Sequence, residues 1–179
     1  MNTGQNAAQM KPYDVCGLAL FLLALPLISP QSVLGQENKI DVDQFHLEAI
    51  DGAEAHASVS TDSPGGQKTA MVVVSKIGLE FWSVELRAAG INFEPGKTYE
   101  LKFQAKSTPT QFIYVVPEKM DGNQGSIAEG TTLQIPGDWA ECTVVFHTTD
   151  TANPGRLTLS GLSANPASYW FTNFSLGEK

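Results

Sequence analysis

The amino-acid sequence predicts an all-β protein, a sandwich of two antiparallel β-sheets. Two segments, Tyr99 to Lys106 and Ala140 to Phe146, alternate apolar and polar residues, which is typical of strands with one buried face. Turn-forming combinations of Gly, Pro, Asn and Asp separate these segments from other short runs rich in β-forming residues. Many short strands divided by turns indicate two packed antiparallel sheets, and no segment convincingly predicts a helix.

The remaining strands are predicted where β-branched and aromatic residues are concentrated. These runs are Phe45 to Ile50, Thr69 to Ser75, Trp82 to Leu86, Thr110 to Val116, Thr131 to Ile135, Arg156 to Leu159 and Ser168 to Leu176. The predicted turns include Pro95-Gly96, Pro136-Gly137-Asp138 and Asn153-Pro154-Gly155. Because no Ser-, Thr- or Pro-rich linker divides this part of the chain, we expect one sandwich domain over residues 36–179.

The N-terminal residues 1–35 are predicted to be a signal peptide. Cys16 to Ile28 form an uncharged apolar run, preceded by Lys11, that is shorter than the roughly 20 residues needed to cross a bilayer. Val33-Leu34-Gly35 ends in a small residue, so cleavage is expected after Gly35. The domain would then be secreted or periplasmic, with no stable membrane span. An uncleaved N-terminal anchor is the alternative.

Charge and cysteine content exclude several classes of partner and one kind of stabilisation. The net charge is −8, so the protein has little electrostatic reason to bind nucleic acid or anionic lipid, both of which are bound through clustered Lys and Arg. Cys16 would leave with the signal peptide, and Cys142 would then have no intramolecular partner. The domain is therefore expected to be stable without a disulfide, which its length allows.

Five segments, in order, resemble the CenC-like carbohydrate-binding modules of families 4 and 9, to which family 22 is related. The segments are Phe81-Trp-Ser-Val-Glu-Leu-Arg87, Ile91-Asn-Phe-Glu-Pro-Gly-Lys-Thr-Tyr-Glu-Leu-Lys-Phe-Gln-Ala-Lys106, Gly137-Asp138-Trp139, Arg156-Leu-Thr-Leu159 and Tyr169-Trp-Phe-Thr-Asn-Phe-Ser-Leu176. The resemblance implies a galactose-binding-like jelly roll whose concave sheet, or the loops at its edge, holds a glycan. It also implies a β-linked polysaccharide ligand, such as a β-glucan or xylan, and a partner glycoside hydrolase.

Two departures from the family pattern bear on cofactors and on the groove. Where the family closes with Asp-Asp, this chain has Thr172-Asn173. Those aspartates are often tied to a structural calcium ion, for which a threonine hydroxyl is a poor ligand, so no cofactor is expected and bound calcium is doubtful. The opening element is reduced to Lys39 through Phe45, which predicts an altered or shallower groove.

Two aromatic residues of one predicted strand are the first candidates for carbohydrate binding, because flat rings stack on the apolar faces of sugars. The family pattern turns Ile113 and Val115 into the core, which would leave Phe112 and Tyr114 outward on the concave sheet. The opposite parity would bury both rings and expose Gln111. Periodicity alone leaves the two choices open, because both faces of this strand are apolar.

The other candidates lie at the start of one strand and on the polar faces of two. Trp82 shares its parity with core positions, yet it stands where a ring can reach the groove edge. Glu85 and Arg87 could bind sugar hydroxyls, and Glu141 is a similar candidate on the outward face of its own strand. Trp139 and Trp170 are instead expected to be packing residues.

The sequence gives no indication of catalysis. His46, His56 and His147 are scattered over separate strands without metal-ligand spacing, and no acidic pair falls in a recognisable motif. The function predicted is therefore non-catalytic polysaccharide binding by an exported module that supports a partner hydrolase. The alternative is a secreted sandwich that has lost sugar binding and acts in adhesion or protein interaction.

Overall fold

The computed structural model describes residues 37–120 and 125–179, in which eleven β-strands and one short 3-10 helix, Val42–Gln44, are found. The strands are β1 Asn38–Ile40, β2 Phe45–Ala49, β3 Glu54–Ser60, β4 Thr69–Lys76, β5 Val84–Phe93, β6 Thr98–Thr108, β7 Gln111–Lys119, β8 Thr131–Ile135, β9 Ala140–His147, β10 Ala152–Ser160 and β11 Ala167–Glu178. The predicted signal peptide lies outside the described residues. Among those described, no helix is long and apolar enough to span a membrane.

The strands form two antiparallel sheets. One has six strands in the order β3-β4-β11-β6-β9, with β1 also paired to β11, and the other has five in the order β2-β5-β10-β7-β8. Neighbours in sequence often lie in different sheets, as β5 and β6 do, so the chain crosses between the layers repeatedly. The prediction of an all-β jelly-roll sandwich is confirmed.

The core lies between the two sheets and follows from the alternation in the sequence. Leu101 and Phe103 of β6 are buried, while the residues between them face outward and are only partly covered. Aromatic rings join the layers, since Phe45 of the five-stranded sheet lies with its centroid 4.4 Å from that of Phe174 in the other. Burying side chains of this size stabilises the fold by about 1.5–3 kcal/mol each.

A β-bulge in the five-stranded sheet accompanies two differences from the predicted strands. Strand β5 continues to Phe93 instead of ending at Leu86, and β10 begins at Ala152, before the predicted turn. Ala89 pairs with Arg156 and Ile91 with Gly155, so Gly90 between them is unpaired, with φ +79°. A left-handed φ is readily adopted by glycine, and this allows β5 to continue to its end as one strand. The opposite strand accommodates the bulge through residues 153–155, so the predicted turn at Asn153-Pro154-Gly155 is wrong.

Candidate functional site

The outer face of the five-stranded sheet carries a cavity of about 300 Å³. The neighbouring strands β5, β10 and β7 supply its floor, and the loop between β4 and β5 supplies one wall. The residues that line it are Phe81, Trp82, Glu85, Arg87, Tyr114, Val116, Glu118, Arg156 and Ser160. Strand alternation aims these side chains away from the core, because Leu86, Val115 and Leu159 between them point inward.

The floor of the cavity is polar but shielded from water. Glu85 is only 6% exposed, and Thr158 and Ser160 of β10 are also buried, although all three lie on the outer face. Longer side chains from the adjacent positions rise around them. Every described buried side-chain nitrogen and oxygen atom has a hydrogen-bond partner, so the floor carries no uncompensated polar group.

Two arginine–carboxylate pairs fix the electrostatics of the floor. The Nε atom of Arg87 donates to Glu85 Oε2 at 2.9 Å, and the same guanidinium pairs with Glu48 of β2. In parallel, Arg156 Nε donates to Glu118 Oε2 at 2.9 Å. These pairs hold the acidic side chains in fixed positions, as a pre-organised recognition surface requires.

Burial raises the pKa of the Glu85 carboxyl. A hydrogen bond with the Ser160 side chain lowers this pKa in part, the nearby Glu118 carboxylate raises it, and the Arg156 guanidinium lowers it. Burial also lowers the pKa of Arg87, which nonetheless remains charged at neutral pH. The floor therefore presents fixed hydrogen-bonding groups of both signs rather than a single excess charge.

Aromatic rings form the walls. Tyr114 of β7 and Phe81 of the β4–β5 loop meet edge-on with their centroids 6.2 Å apart, and Trp82 beside them is 52% exposed. The backbone N–H of Gly130 donates to the Tyr114 hydroxyl at 3.1 Å. A Cβ atom at Gly130 would lie 2.2 Å from Tyr114 Cζ, so this glycine leaves the space that the ring occupies.

Aromatic walls around a buried polar floor match the two surfaces of a sugar ring. The apolar C–H face of a pyranose stacks on a flat ring, while its equatorial hydroxyls need donors and acceptors at the edge. Tyr114 and Trp82 supply the rings, and Glu85 and Arg87 supply the polar groups. The arrangement is suited to binding a carbohydrate.

Of the six predicted site residues, four line the cavity together: Trp82, Glu85, Arg87 and Tyr114. Phe112 lies two residues from Tyr114 on the same outward face and is 56% exposed, so the outward parity expected for this strand is observed. Its ring is outside the cavity lining. The alternative in which Trp82 is a core residue is wrong, because Trp82 precedes β5 in an exposed turn.

Glu141 does not join this group. It lies on β9, an edge strand of the six-stranded sheet, where it is exposed opposite Gln104. The outer faces of the two sheets point in opposite directions. An outward residue of one sheet therefore cannot share a site with outward residues of the other. Glu141 therefore lies on a different face from the other five candidates, and its part in carbohydrate binding stays a prediction.

Sequence reasoning missed five residues of the cavity, which are Phe81, Val116, Glu118, Arg156 and Ser160. The signal for two of them was present, since Leu157 and Leu159 of the predicted β10 strand alternate with Arg156, Thr158 and Ser160. Once the leucines are assigned to the core, the polar residues must face outward. The alternation of apolar and polar residues shows which side chains of β10 face outward. It does not show which strands are the neighbours of β10 in the sheet.

Trp139 and Trp170 form a second aromatic group, on the outer face of the six-stranded sheet. Both are partly buried, and neither belongs to the core between the sheets. Lys106 lies between them, with Nζ at 5.2 Å from the ring centroid of Trp139 and 4.7 Å from that of Trp170. The same ammonium binds Asp62 at 2.9 Å. These tryptophans pack, as expected, but against a lysine at the surface.

The residues that replace the family's closing aspartates act as hydrogen-bond donors. Thr172 donates its hydroxyl proton to the carbonyl oxygen of Lys68 at 2.6 Å. Asn173 turns its amide nitrogen, not its oxygen, toward the side-chain oxygens of Gln67 at 2.8 Å and Gln104 at 3.0 Å. Calcium is bound by oxygen acceptors, whereas Thr172 and Asn173 are hydrogen-bond donors in this arrangement. Within the described residues, no three His, Cys, Asp or Glu side chains cluster as metal ligands would.

Comparison with known proteins agrees with this geometry. A family model described as a carbohydrate binding domain, CBM_4_9, matches residues 45–165. No protein of curated function matches the sequence at a significant level.

Among solved structures, one described as "CBM4 structure and function" is 17% identical with a TM-score of 0.64, and the match covers 79% of this chain and 95% of that one. The N-terminal cellulose-binding domain of Cellulomonas fimi β-1,4-glucanase C is 14% identical with a TM-score of 0.58, covering 82% and 96%. A family 11 module from Clostridium thermocellum, solved with a β-1,3-1,4-mixed-linked tetrasaccharide, is 14% identical with a TM-score of 0.58, covering 81% and 96%. Identities this low establish the shared fold.

Proposed function

The chain belongs to the CBM_4_9 carbohydrate-binding domain family, and on that premise we propose that it binds a β-linked polysaccharide in the cavity of the five-stranded sheet. The observation that carries the proposal is the arrangement of that cavity. The rings of Tyr114 and Trp82 rise beside a floor of Glu85, Arg87 and Ser160. Glu85 and Ser160 are buried, Arg87 is partly buried, and every buried polar atom there has a hydrogen-bond partner. Stacking on the rings and hydrogen bonds to the floor act on different parts of one sugar.

A β-glucan or a xylan is the ligand class we propose. Among structures of the same fold, one is a cellulose-binding domain, one holds a mixed-linked β-glucan fragment, and one belongs to a xylanase complexed with xylohexaose. The two arginine–carboxylate pairs leave no unpaired positive charge in the site to attract an acidic polysaccharide, so a neutral glycan fits better.

The module is proposed to be non-catalytic. A glycosidase needs one carboxyl group free to give up a proton and a second free to attack or to activate water. Here both carboxyl groups of the cavity are engaged, Glu85 by Arg87 and Glu118 by Arg156. We further propose that the chain is exported and works beside a partner glycoside hydrolase, because binding alone concentrates an enzyme on its substrate.

Calorimetric titration tests the proposal. The protein is titrated with soluble β-glucan, xylan and mannan, and Tyr114→Ala is titrated in parallel. Saturable binding to one glycan, weakened about tenfold by Tyr114→Ala, is the expected result and corresponds to about 1.4 kcal/mol. Binding that Tyr114→Ala leaves unchanged would place the site elsewhere. No binding to any of the three would favour adhesion or protein interaction.

Calcium is proposed to have no part in this function. Because Thr172 and Asn173 act as hydrogen-bond donors, we expect the affinity for glycan and the unfolding temperature to be the same in EDTA and in millimolar calcium. A rise in unfolding temperature with added calcium would contradict this.

A further inference from the structure

An exposed apolar group borders the cavity, and we call it the apolar rim: Ile50, Ile77, Leu79, Phe81 and Trp82. Four of these residues lie in the loop between β4 and β5, and Ile50 lies in the turn after β2. The backbone N–H of Ile50 donates to the carbonyl oxygen of Ser83, in that loop, at 2.9 Å. They are five of the nine large apolar side chains that are exposed in the described part of the chain. Leu79 is 87% exposed. Such concentration on one edge indicates a contact surface.

The backbone beneath the apolar rim is held firmly. Ser163 donates its hydroxyl proton to the carbonyl oxygens of Glu80 and Phe81, both at 3.0 Å. Ser83 accepts from the Glu80 N–H at 3.0 Å through its hydroxyl, and its own N–H donates to Glu80 O at 3.0 Å. Both serines are buried. The loop therefore presents its apolar side chains in a fixed geometry, which lowers the entropic cost of docking.

The occupant of the apolar rim follows from its position. Phe81 and Trp82 belong both to the rim and to the lining of the cavity. Whatever contacts Leu79 must therefore lie beside the molecule in the cavity. Glu80 is the one ionisable residue between Lys76 and Glu85, and the net charge of −8 disfavours an anionic lipid surface. Position and charge together favour a neutral apolar surface next to the bound sugar.

We propose that the apolar rim docks on the surface of an insoluble polysaccharide, next to the chain held in the cavity. In a packed polysaccharide, neighbouring chains expose the C–H faces of their sugars, which form an apolar surface around any chain that is bound. The inference rests on the proposed function and adds the physical state of its substrate. The cavity binds one chain, and the rim distinguishes packed chains from dissolved ones.

The test compares dissolved and solid forms of the same glycan. Cellohexaose and xylohexaose are titrated by calorimetry, and depletion isotherms are measured on microcrystalline cellulose and insoluble xylan. The variant is Leu79→Ser, which should not disturb folding because the side chain is 87% exposed. The control is Val59→Ser, which alters an exposed valine on β3 in the other sheet.

Leu79→Ser is expected to weaken binding to the solid about five- to tenfold, the loss of one buried leucine contact, and to change oligosaccharide affinity less than about twofold. Val59→Ser should change neither. Equal losses on both forms, or no loss on the solid, would overturn the inference while the cavity remained a binding site. Binding of neither form by the unchanged protein would overturn the proposed function itself. Two further assays cover other occupants: binding to phosphatidylcholine vesicles and self-association in sedimentation. If Leu79→Ser lost either of these while its binding to the solid stayed intact, the rim would be assigned to that other occupant.

Discussion

The two outer faces of the sandwich both carry aromatic rings and charged side chains, but they use them differently. On the five-stranded sheet, Tyr114 and Trp82 stand around a buried polar floor and leave a cavity between them. On the six-stranded sheet, Trp139 and Trp170 have the ammonium of Lys106 between them. The first pair leaves space for a ligand, whereas the second pair is occupied by the protein's own side chain.

The difference shows that an exposed aromatic residue is not by itself a binding site. Lys106 gains from the two rings and from Asp62, so the group on the six-stranded sheet is satisfied internally. In the cavity, the charged side chains pair with each other below the rings and do not cover them. The distinction depends on which strands are neighbours. It can be tested by comparing matched variants on the outer faces of the two sheets.

The largest effect is expected from breaking the buried pair of the cavity. Arg87→Met would leave Glu85 without its ionic partner on the floor, and we expect a loss of about 3 kcal/mol in the free energy of unfolding. The matched variant on the other face, Lys106→Met, removes an ammonium whose carboxylate partner Asp62 is exposed. It should cost only about 1 kcal/mol. Urea unfolding of both variants measures the difference, and equal losses would remove the contrast between the faces.

The next effect is on affinity. Tyr114→Ala should weaken glycan binding about tenfold, because stacking on its ring is lost. Trp170→Ala removes a larger ring from the other face and should leave glycan affinity within about twofold, because that surface is not expected to contact ligand. Calorimetric titration distinguishes them. A larger loss from Trp170→Ala would move the binding surface to the six-stranded sheet.

A smaller effect is expected from moving the tyrosine ring without removing it. In Gly130→Ala the new Cβ would overlap the Tyr114 ring, which must turn away from its place in the wall. We expect an affinity loss of about threefold, less than that of Tyr114→Ala. Gly137→Ala is the control, since its Cβ would meet only Ser107 O at 4.0 Å. If Gly130→Ala binds glycan normally, the orientation of the ring does not matter.

The smallest effect concerns pH. The folded state raises the pKa of Glu85 above its unfolded value, so the native protein binds more protons than the unfolded chain between those two values. Stability should therefore fall as pH rises through that window and level off above the folded pKa. Glu85→Gln cannot titrate and should lack this step. Urea unfolding at a series of pH values tests it, and identical pH profiles for the two proteins would show that Glu85 titrates normally.

Much of the fold was predictable because it depends on local periodicity. Strand β8 was predicted with its observed ends and β9 to within one residue, and the outward position of Phe112 followed from the family pattern. The short strand β3 was missed, because its Ala- and Ser-rich sequence has weak β propensity and is held at the sheet edge by β4. Sequence alone thus identifies strands best where their side chains carry the pattern themselves.

The candidate site was predicted less completely, because it depends on which strands lie side by side. Arg156 and Ser160 reach the cavity only because β10 lies between β5 and β7, an order that no local pattern specifies. Glu141 was grouped with the site because its outward face was evident while its sheet was not. Glu85 was assigned to the polar face of its strand, and the burial that its neighbours impose there is not evident from the strand's own sequence.

The three tryptophans provide the most direct test of which face binds the glycan. The chain has three, at 82, 139 and 170, so the ¹⁵N-labelled protein should give three indole N–H signals in a two-dimensional NMR spectrum. During titration with cellohexaose or xylohexaose, the signal of Trp82 should shift progressively to saturation while those of Trp139 and Trp170 stay in place. Shifts of Trp139 and Trp170 with Trp82 unmoved would contradict the assignment of the site to the five-stranded sheet.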